Sequence, residues 1–326
     1  MGLERRPLAA LIASIALAGC GVRERPRGAP ELWHAPPNVE SFDFTYGVHG
    51  PAFMPKAPFR FVREDLRGTS PKVFVTDAEG RLWRVKGGLE VRAETFCTRL
   101  VAALGYYAEP TFFLAAGHID RLGPLRRASG FIQPNGDFTW ASFERFEPGL
   151  RFLSDESWSW SGNPFDGTPE LNGLKVVVML LSDWDNKDAR NSIRGSNLGI
   201  LERAAPRAWI YFVDDWGQSL GRWGDSYSNT STFDCTGFRM QSRDFVLGLK
   251  NRLVQFGFHG QHTDDFMQGI RTGDISWLMQ WLGRIGDDQL RAGLRASGAN
   301  PNETTCLAAS LRDRISQLRG VSGTLP

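Results

Sequence analysis

The chain has 326 residues, 41% of them hydrophobic and 23% charged, which excludes a disordered chain, a collagen-like fibre and a polytopic membrane protein. Lys and Arg number 38 against 36 Asp and Glu, and the net charge of +2 speaks against a nucleic-acid partner. At roughly 150 residues per domain the length allows one large domain or two lobes, and with six Lys in all, each lysine is worth inspecting.

Glu4-Arg5-Arg6 precedes an apolar run from Pro7 to Gly19. The run is shorter than the ~20 residues that span a bilayer. A basic start, a short apolar core and small residues at its end read as a secretory signal over residues 1–19. Leu17-Ala18-Gly19-Cys20 resembles the bacterial lipobox, in which cleavage leaves the Cys to carry lipids. That resemblance implies an exported protein held on the cell envelope through lipidated Cys20. Gly21 in place of Asp points to the outer membrane. A buried amphipathic helix with a chance Cys is the alternative. Residues 20–41 are rich in Pro, Arg, Gly and Ala and read as a lipidated tether without a core, so the fold is expected to begin near Phe42. Of the remaining cysteines, Cys97 falls on the apolar face of a predicted helix, and a Cys235–Cys306 bridge is a hypothesis for an oxidising compartment.

Residues 59–86 read as β structure. Val73-Phe74-Val75 is a short apolar strand, Asp77-Ala78-Glu79-Gly80 a turn, and Leu82-Trp83-Arg84-Val85-Lys86 alternates as a half-buried strand does. Gly87-Gly88 ends it. Val91, Phe96, Leu100, Val101 and Leu104 follow helical spacing and predict a helix over Glu90–Leu104 with Gly105 at its C-cap. Thr111–Leu114 and Trp140–Phe146 read as strands. Residues 42–148 thus predict an antiparallel sheet with one long helix. Trp158, Trp160 and Phe165 anchor a connecting loop over 149–168. Glu170–Leu181 predicts an apolar helix, although Val176-Val177-Val178 also suits a buried strand. Trp209–Val213 is a strand. Helices are expected over 243–256, 274–283, 287–297 and 303–319, with Asp287 and Asn302 as N-caps. The fold class that results is α+β, with a β-rich part over 42–148 and a mainly helical part over 149–326.

Three clusters could carry chemistry. Lys86 ends a strand, and Glu94 lies eight residues on, one turn into the next helix, so the two can form an ion pair that aims the ammonium at phosphates. Gly68-Thr69-Ser70, on the neighbouring strand, could cradle phosphates with its N–H groups and hydroxyls. Read alone, these are an edge-strand lysine and a plain turn. The second cluster, Ser182-Asp183-Trp184-Asp185-Asn186-Lys187-Asp188-Ala189-Arg190-Asn191, hangs from an apolar helix. There Asp185 could accept a proton, Lys187 reach a phosphoryl group and Asn191 bind a metal; a helix cap with a surface turn is the alternative. The third, Val213-Asp214-Asp215-Trp216-Gly217, runs an apolar strand into carboxylates suited to Mg²⁺, or forms a β-turn.

Strand Lys, helix Glu, an Asp-x-Lys loop with Asn, then Asp-x-Gly: in this order the clusters resemble the protein-kinase-like fold. The likeness is greatest to atypical members, namely HipA-like, phosphatidylinositol and secretory-pathway kinases. Trp83-Arg84-Val85-Lys86, Leu104-Gly105-Tyr106 and Trp184-Asp185-Asn186-Lys187-Asp188 further resemble a bacterial lipoprotein family. The resemblance spans roughly residues 59–320 and implies two lobes, 42–148 and 149–326, hinged near Phe143–Pro148. It implies a nucleotide, ATP with Mg²⁺, between them. Lys86 would contact phosphates together with Gly68, Thr69 and Ser70, and Glu94 would orient Lys86, with Glu90 as rival. Asp185 would be the catalytic acid, Lys187 its neighbour on the γ-phosphate, and Asn191 and Asp215 the metal ligands. The acceptor, a protein, lipid or glycan, is not specified. The family's amide stands five residues after the Asp; here that residue is Arg190, and Asn191 is the sixth. Two other functions suit the same residues: a non-catalytic, pseudokinase-like scaffold of the envelope, and a metal-dependent hydrolase using Asp183, Asp185, Asp214 and Asp215. Trp158 and Trp160 suit lobe packing or sugar stacking, and His259 and His262 have no neighbouring cluster that would complete a zinc site.

Overall fold

The chain adopts a mixed α/β architecture in a computed structural model that describes residues 28–68, 70–194, 196–223, 232–260 and 266–323. The expectations for the signal segment 1–19, for Cys20 and for Thr69 lie outside the described residues.

The first element, β1 (Ala29–Glu31), falls where a coreless tether is expected. It pairs in parallel with Ala208–Val213, far along the chain. Behind it Leu32 and Val39 are buried, and Trp33 Nε1 donates to the Leu104 carbonyl at 2.7 Å. The fold therefore begins at least as early as Gly28. The apolar residues of this stretch follow neither period 2 nor period 3.6, so they give no sequence signal. Gly105 completes the junction: its φ is +88°, and a Cβ there would lie 2.1 Å from the His34 carbonyl oxygen.

The β-rich part is a closed barrel, in place of the expected antiparallel sheet. Strands β2 (Phe59–Asp65), β3 (Lys72–Thr76), β4 (Leu82–Gly87), β5 (Thr111–Asp120) and β6 (Asp137–Glu144) close in the order β2-β3-β4-β6-β5. Closure is made by a parallel pairing of β2 with β5. Alternation fills the interior with Val73, Val75, Trp83, Val85 and Phe143, all fully buried. Helix α1 (Val91–Ala103) follows β4 directly, yet its buried Phe96, Leu100 and Val101 belong to the core of the C-terminal helices.

That second part is less helical than expected. After β7 (Leu150–Phe152) comes α2 (Pro169–Leu180), a helix, as the apolar run favoured, with Thr168 as N-cap. Strands β8 (Leu198–Arg203) and β9 (Ala208–Val213) complete a four-stranded sheet in the order β1-β9-β8-β7. Helix α3 (Cys235–Ser242) precedes a hairpin, β10 (Val246–Lys250) and β11 (Leu253–Phe256), where a helix over 243–256 was expected. Asn251 and Arg252 turn this hairpin with positive φ at both positions, the geometry of a type I′ turn without its usual glycine. Helices α4 (Thr272–Leu282), α5 (Asp287–Ala296) and α6 (Pro301–Ser322) match expectation, with N-caps one or two residues earlier, at Gly286 and Asn300. Cys235 and Cys306 are disulfide-bonded, with Cα atoms 6.1 Å apart, and Cys97 is a buried free thiol.

Candidate functional site

Strand β4 supplies the first groups. Its alternation turns Trp83 and Val85 inward and Arg84 and Lys86 onto the outer face of the barrel. That face is covered: Lys86 is 8% exposed. Its Nζ donates to Glu94 Oε2 at 3.0 Å and lies 3.3 Å from Glu144 Oε1. The Gly87-Gly88 junction is short enough to bring Glu94, in the first turn of α1, onto the lysine. Glu90 accepts hydrogen bonds from Ser70 Oγ and Gln218 Nε2, so Glu94 holds the ammonium and its rival does not. Glu144 also accepts from Arg84 Nε at 2.8 Å and from Ser142 Oγ at 2.9 Å. Arg84 in turn reaches Glu109.

The charges sort themselves. Burial would lower the Lys86 pKa, but Glu144, Glu94 and Asp215 raise it well above the ordinary lysine value. Burial works against an ionised Glu144, yet Lys86 and Arg84 hold its pKa below the usual range. Glu94 goes the other way: burial, with Glu144 and Asp215 beside it, outweighs Lys86 and pushes its carboxyl up.

The second group hangs from the C-terminus of α2, where helix carbonyls lack intrahelical partners. Arg314, fully buried on α6, supplies donors to the carbonyls of Met179 and Leu180 and to Ser182 Oγ. Ser182 takes a left-handed φ of +58°, and the chain turns so that the Asp183 N–H returns to the Val178 carbonyl at 3.0 Å. Asp183 and Asp185 each keep a buried Oδ1 with no hydrogen-bond partner among the described residues. Lys187 Nζ lies 3.1 Å from Asp185 Oδ2.

The third group ends β9. Asp215 Oδ1 accepts from the Gly217 N–H at 3.0 Å. Gly217 lies against the start of α1: a Cβ there would come within 2.9 Å of Glu90 Cβ. The Asp215 charge acts on Lys86, Glu94 and Asp183, and Lys187 acts on Asp215. The three clusters thus share one electrostatic field.

Not every expected residue joins them. Gly68 offers its carbonyl to Arg127 Nη1 at 2.6 Å, and Ser70 is occupied by Glu90. Asn191 accepts the Asp188 N–H at 3.1 Å, as a turn residue does, and Arg190 braces the buried Asp188 carboxylate. Asn197, which the sequence reading passed over, is better placed. Its Nδ2 donates to the Asp185 carbonyl, its N–H donates to the Lys187 carbonyl at 2.9 Å, and its own carbonyl accepts from Asp214 N at 2.8 Å. The side chain and backbone of this one residue therefore tie the two acid-bearing loops together. The usable signal was its position directly before an apolar strand. Trp158 and Trp160 are core residues, their indole N–H groups on the carbonyls of Phe212 and Asn186.

Beside these groups opens a cavity of about 540 Å³, lined by Lys72, Phe74 and Arg84 of the barrel, by Phe146, and by Phe152 and Asp214 beyond it. Among the described residues no three His, Cys, Asp or Glu side chains gather as a metal-binding group. Nor is any described helix long and apolar enough to cross a membrane.

No family model and no curated protein matches the chain. Among solved structures it is similar to a Helicobacter pylori proinflammatory kinase, CtkA, at 14% identity and a TM-score of 0.46, over 87% of this chain and 96% of that one.

Proposed function

We propose that the protein is an envelope-anchored, kinase-like phosphotransferase that uses Mg-ATP, with the cavity beside Arg84 as the nucleotide cleft. The observation that carries this reading is the convergence of Lys86–Glu94, Asp185–Lys187 and Asp215, from three separate stretches of chain, on one field. In this reading the barrel with α1 is one lobe, the rest of the chain the other, and the segment after Glu144 the hinge.

The donor set fits Mg²⁺. That ion takes one or two carboxylates plus phosphate oxygens and needs no all-protein cage. Asp215 and the amide oxygen of Asn197 would hold it, Asn197 replacing Asn191. When bound, the ion would neutralise charge on the phosphate oxygens. Lys86, aimed by Glu94, would bind the phosphates. Asp185 Oδ1, without a partner among the described residues while Oδ2 faces Lys187, would accept the proton of an acceptor hydroxyl. The acceptor would be a protein, lipid or glycan bearing such a hydroxyl. The displaced Asn191 and the expected export favour the scaffold reading; Asn197 answers the first of these grounds and leaves the second. A hydrolase with four acidic ligands gives no role to the Lys86–Glu94 pair. Anchoring through Cys20 would place the site outside the cytoplasm, and the Cys235–Cys306 disulfide supports an oxidising compartment.

Calorimetric titration of the soluble chain with Mg-ATP tests the proposal. The wild type should bind and Asp215→Ala should not; equal affinities would overturn it.

A further inference from the structure

Of the six lysines of the chain the proposed chemistry leaves four unused, and one of these, Lys72, lines the cavity. Lys72 on β3 is the direct cross-strand partner of Lys86 on β4, so both ammonium groups leave the same face of the barrel. Like charges set opposite each other destabilise a sheet. Lys86 is compensated by Glu94 and Glu144, whereas the Lys72 ammonium makes no hydrogen bond or ion pair among the described residues. Its other cross-strand neighbour, Asp65 on β2, has both carboxylate oxygens engaged by Arg67 at 3.0 Å. Lys72 is half-buried on the wall of the cavity, and its Nζ reaches over the turn at Gly68, 3.3 Å from where a Cβ would stand. Burial and the charges of Lys86 and Arg84 pull its pKa down. The fold therefore keeps a third cation beside two others, at a cost that the charges of Asp65 and Glu144 offset only in part. An anion in the cavity would relieve that cost.

We propose that Lys72 is a second phosphate-binding lysine, which with Lys86 grips adjacent phosphoryl groups and makes the site selective for a polyphosphate chain over a monophosphate. Lys72 and Lys86 stand opposite each other on strands about 4.8 Å apart, which sets the two side chains next to one another for linked phosphoryl groups. The inference rests on the nucleotide reading for the base but not for the anion.

Calorimetry on wild type, Lys72→Met and Lys72→Arg distinguishes the two, using Mg-ATP, AMP and inorganic tripolyphosphate as probes. Lys72→Met should weaken Mg-ATP and tripolyphosphate by about tenfold or more, the loss of one charge-assisted contact, and leave AMP nearly unchanged. Lys72→Arg should retain most of the affinity. Without ligand, Lys72→Met should melt no lower than wild type, because a repulsion is removed. Wild-type affinity for Mg-ATP in Lys72→Met would overturn the inference and leave the nucleotide reading intact. So would an equal loss for AMP and ATP together with a lower melting temperature. Tripolyphosphate binding that depends on Lys72, without any ATP binding, would support the inference and defeat the nucleotide reading. Binding of neither by the wild type would end both.

Discussion

Lys86 Nζ lies 3.3 Å from Glu144 Oε1, and Glu144 is also gripped by Arg84, two residues before Lys86 on the same strand. Glu144 therefore answers two cations, while Glu94 answers one. This asymmetry is why burial wins at Glu94 and loses at Glu144.

The two carboxylates should then differ under substitution. Glu144→Gln removes an ionised partner from two buried cations and should cost about 3–5 kcal/mol in urea denaturation, as breaking a buried ion pair does. Glu94→Gln replaces a carboxyl already pushed toward its neutral form and should cost clearly less. Equal losses would show that both carry the same charge.

Glu109 gives the pH dependence. Burial, against the opposing pull of Arg84, raises its pKa to about 8 from the ordinary 4.5. The unfolded chain ionises this group above about 4.5, whereas the folded chain keeps the proton until about 8. Folding therefore binds a proton between these values, and Glu109 makes stability fall as pH rises through that window, at up to about 1.4 kcal/mol per pH unit. Glu109→Gln should abolish its share of that slope. Denaturation midpoints measured from pH 5 to 9 check this through the difference between variant and wild type; parallel curves would refute the shift.

Arg314 is the support of the acidic loop. Its guanidinium donates to the carbonyls of Leu180 and Phe238 and to Ser182 and Ser242 hydroxyls, with its carbon 3.7 Å from the centre of the Phe238 ring. Arg314→Ala leaves several buried acceptors unpaired and should cost about 4 kcal/mol or more. Arg314→Lys should rescue little, since a single ammonium cannot span those acceptors. Hydrogen exchange at the Asp183 amide should quicken in both variants beyond what the change in global stability predicts. Unchanged local protection would show that the loop holds itself.

Much of the site was legible because its residues obey local rules. The alternation around Trp83 and Val85 placed Lys86 outward, and the helical spacing from Val91 to Leu104 placed Glu94 one turn in. Lys72 was not legible, because its meaning lies in a cross-strand register with Lys86 that no local pattern encodes. Residues 28–41 were misread for a similar reason: Leu32 and Val39 are buried by elements distant in sequence. The hairpin at 246–256 carried no Asn-Gly turn, and Phe245, Leu249, Leu253 and Phe256, four, four and three residues apart, imitated helical spacing.

Asn197 separates an architectural from a functional amide. Asn191 spends its side-chain oxygen on the Asp188 N–H, whereas Asn197 spends its nitrogen on the Asp185 carbonyl and so keeps the amide oxygen for another partner. Asn197→Asp preserves that oxygen but loses the donor, and Asn197→Ala loses both. If Asn197 joins Asp215 in holding Mg²⁺, Asn197→Ala should reduce the Mg²⁺-dependent part of ATP affinity by at least about tenfold, the worth of one charge-assisted contact. Asn191→Ala should leave that part unchanged while lowering the melting temperature, since it breaks a turn. Titrations with ATP in Mg²⁺ and in EDTA separate the metal-dependent share from the rest. A loss confined to Asn191→Ala would return the role to the residue that sequence spacing first suggested.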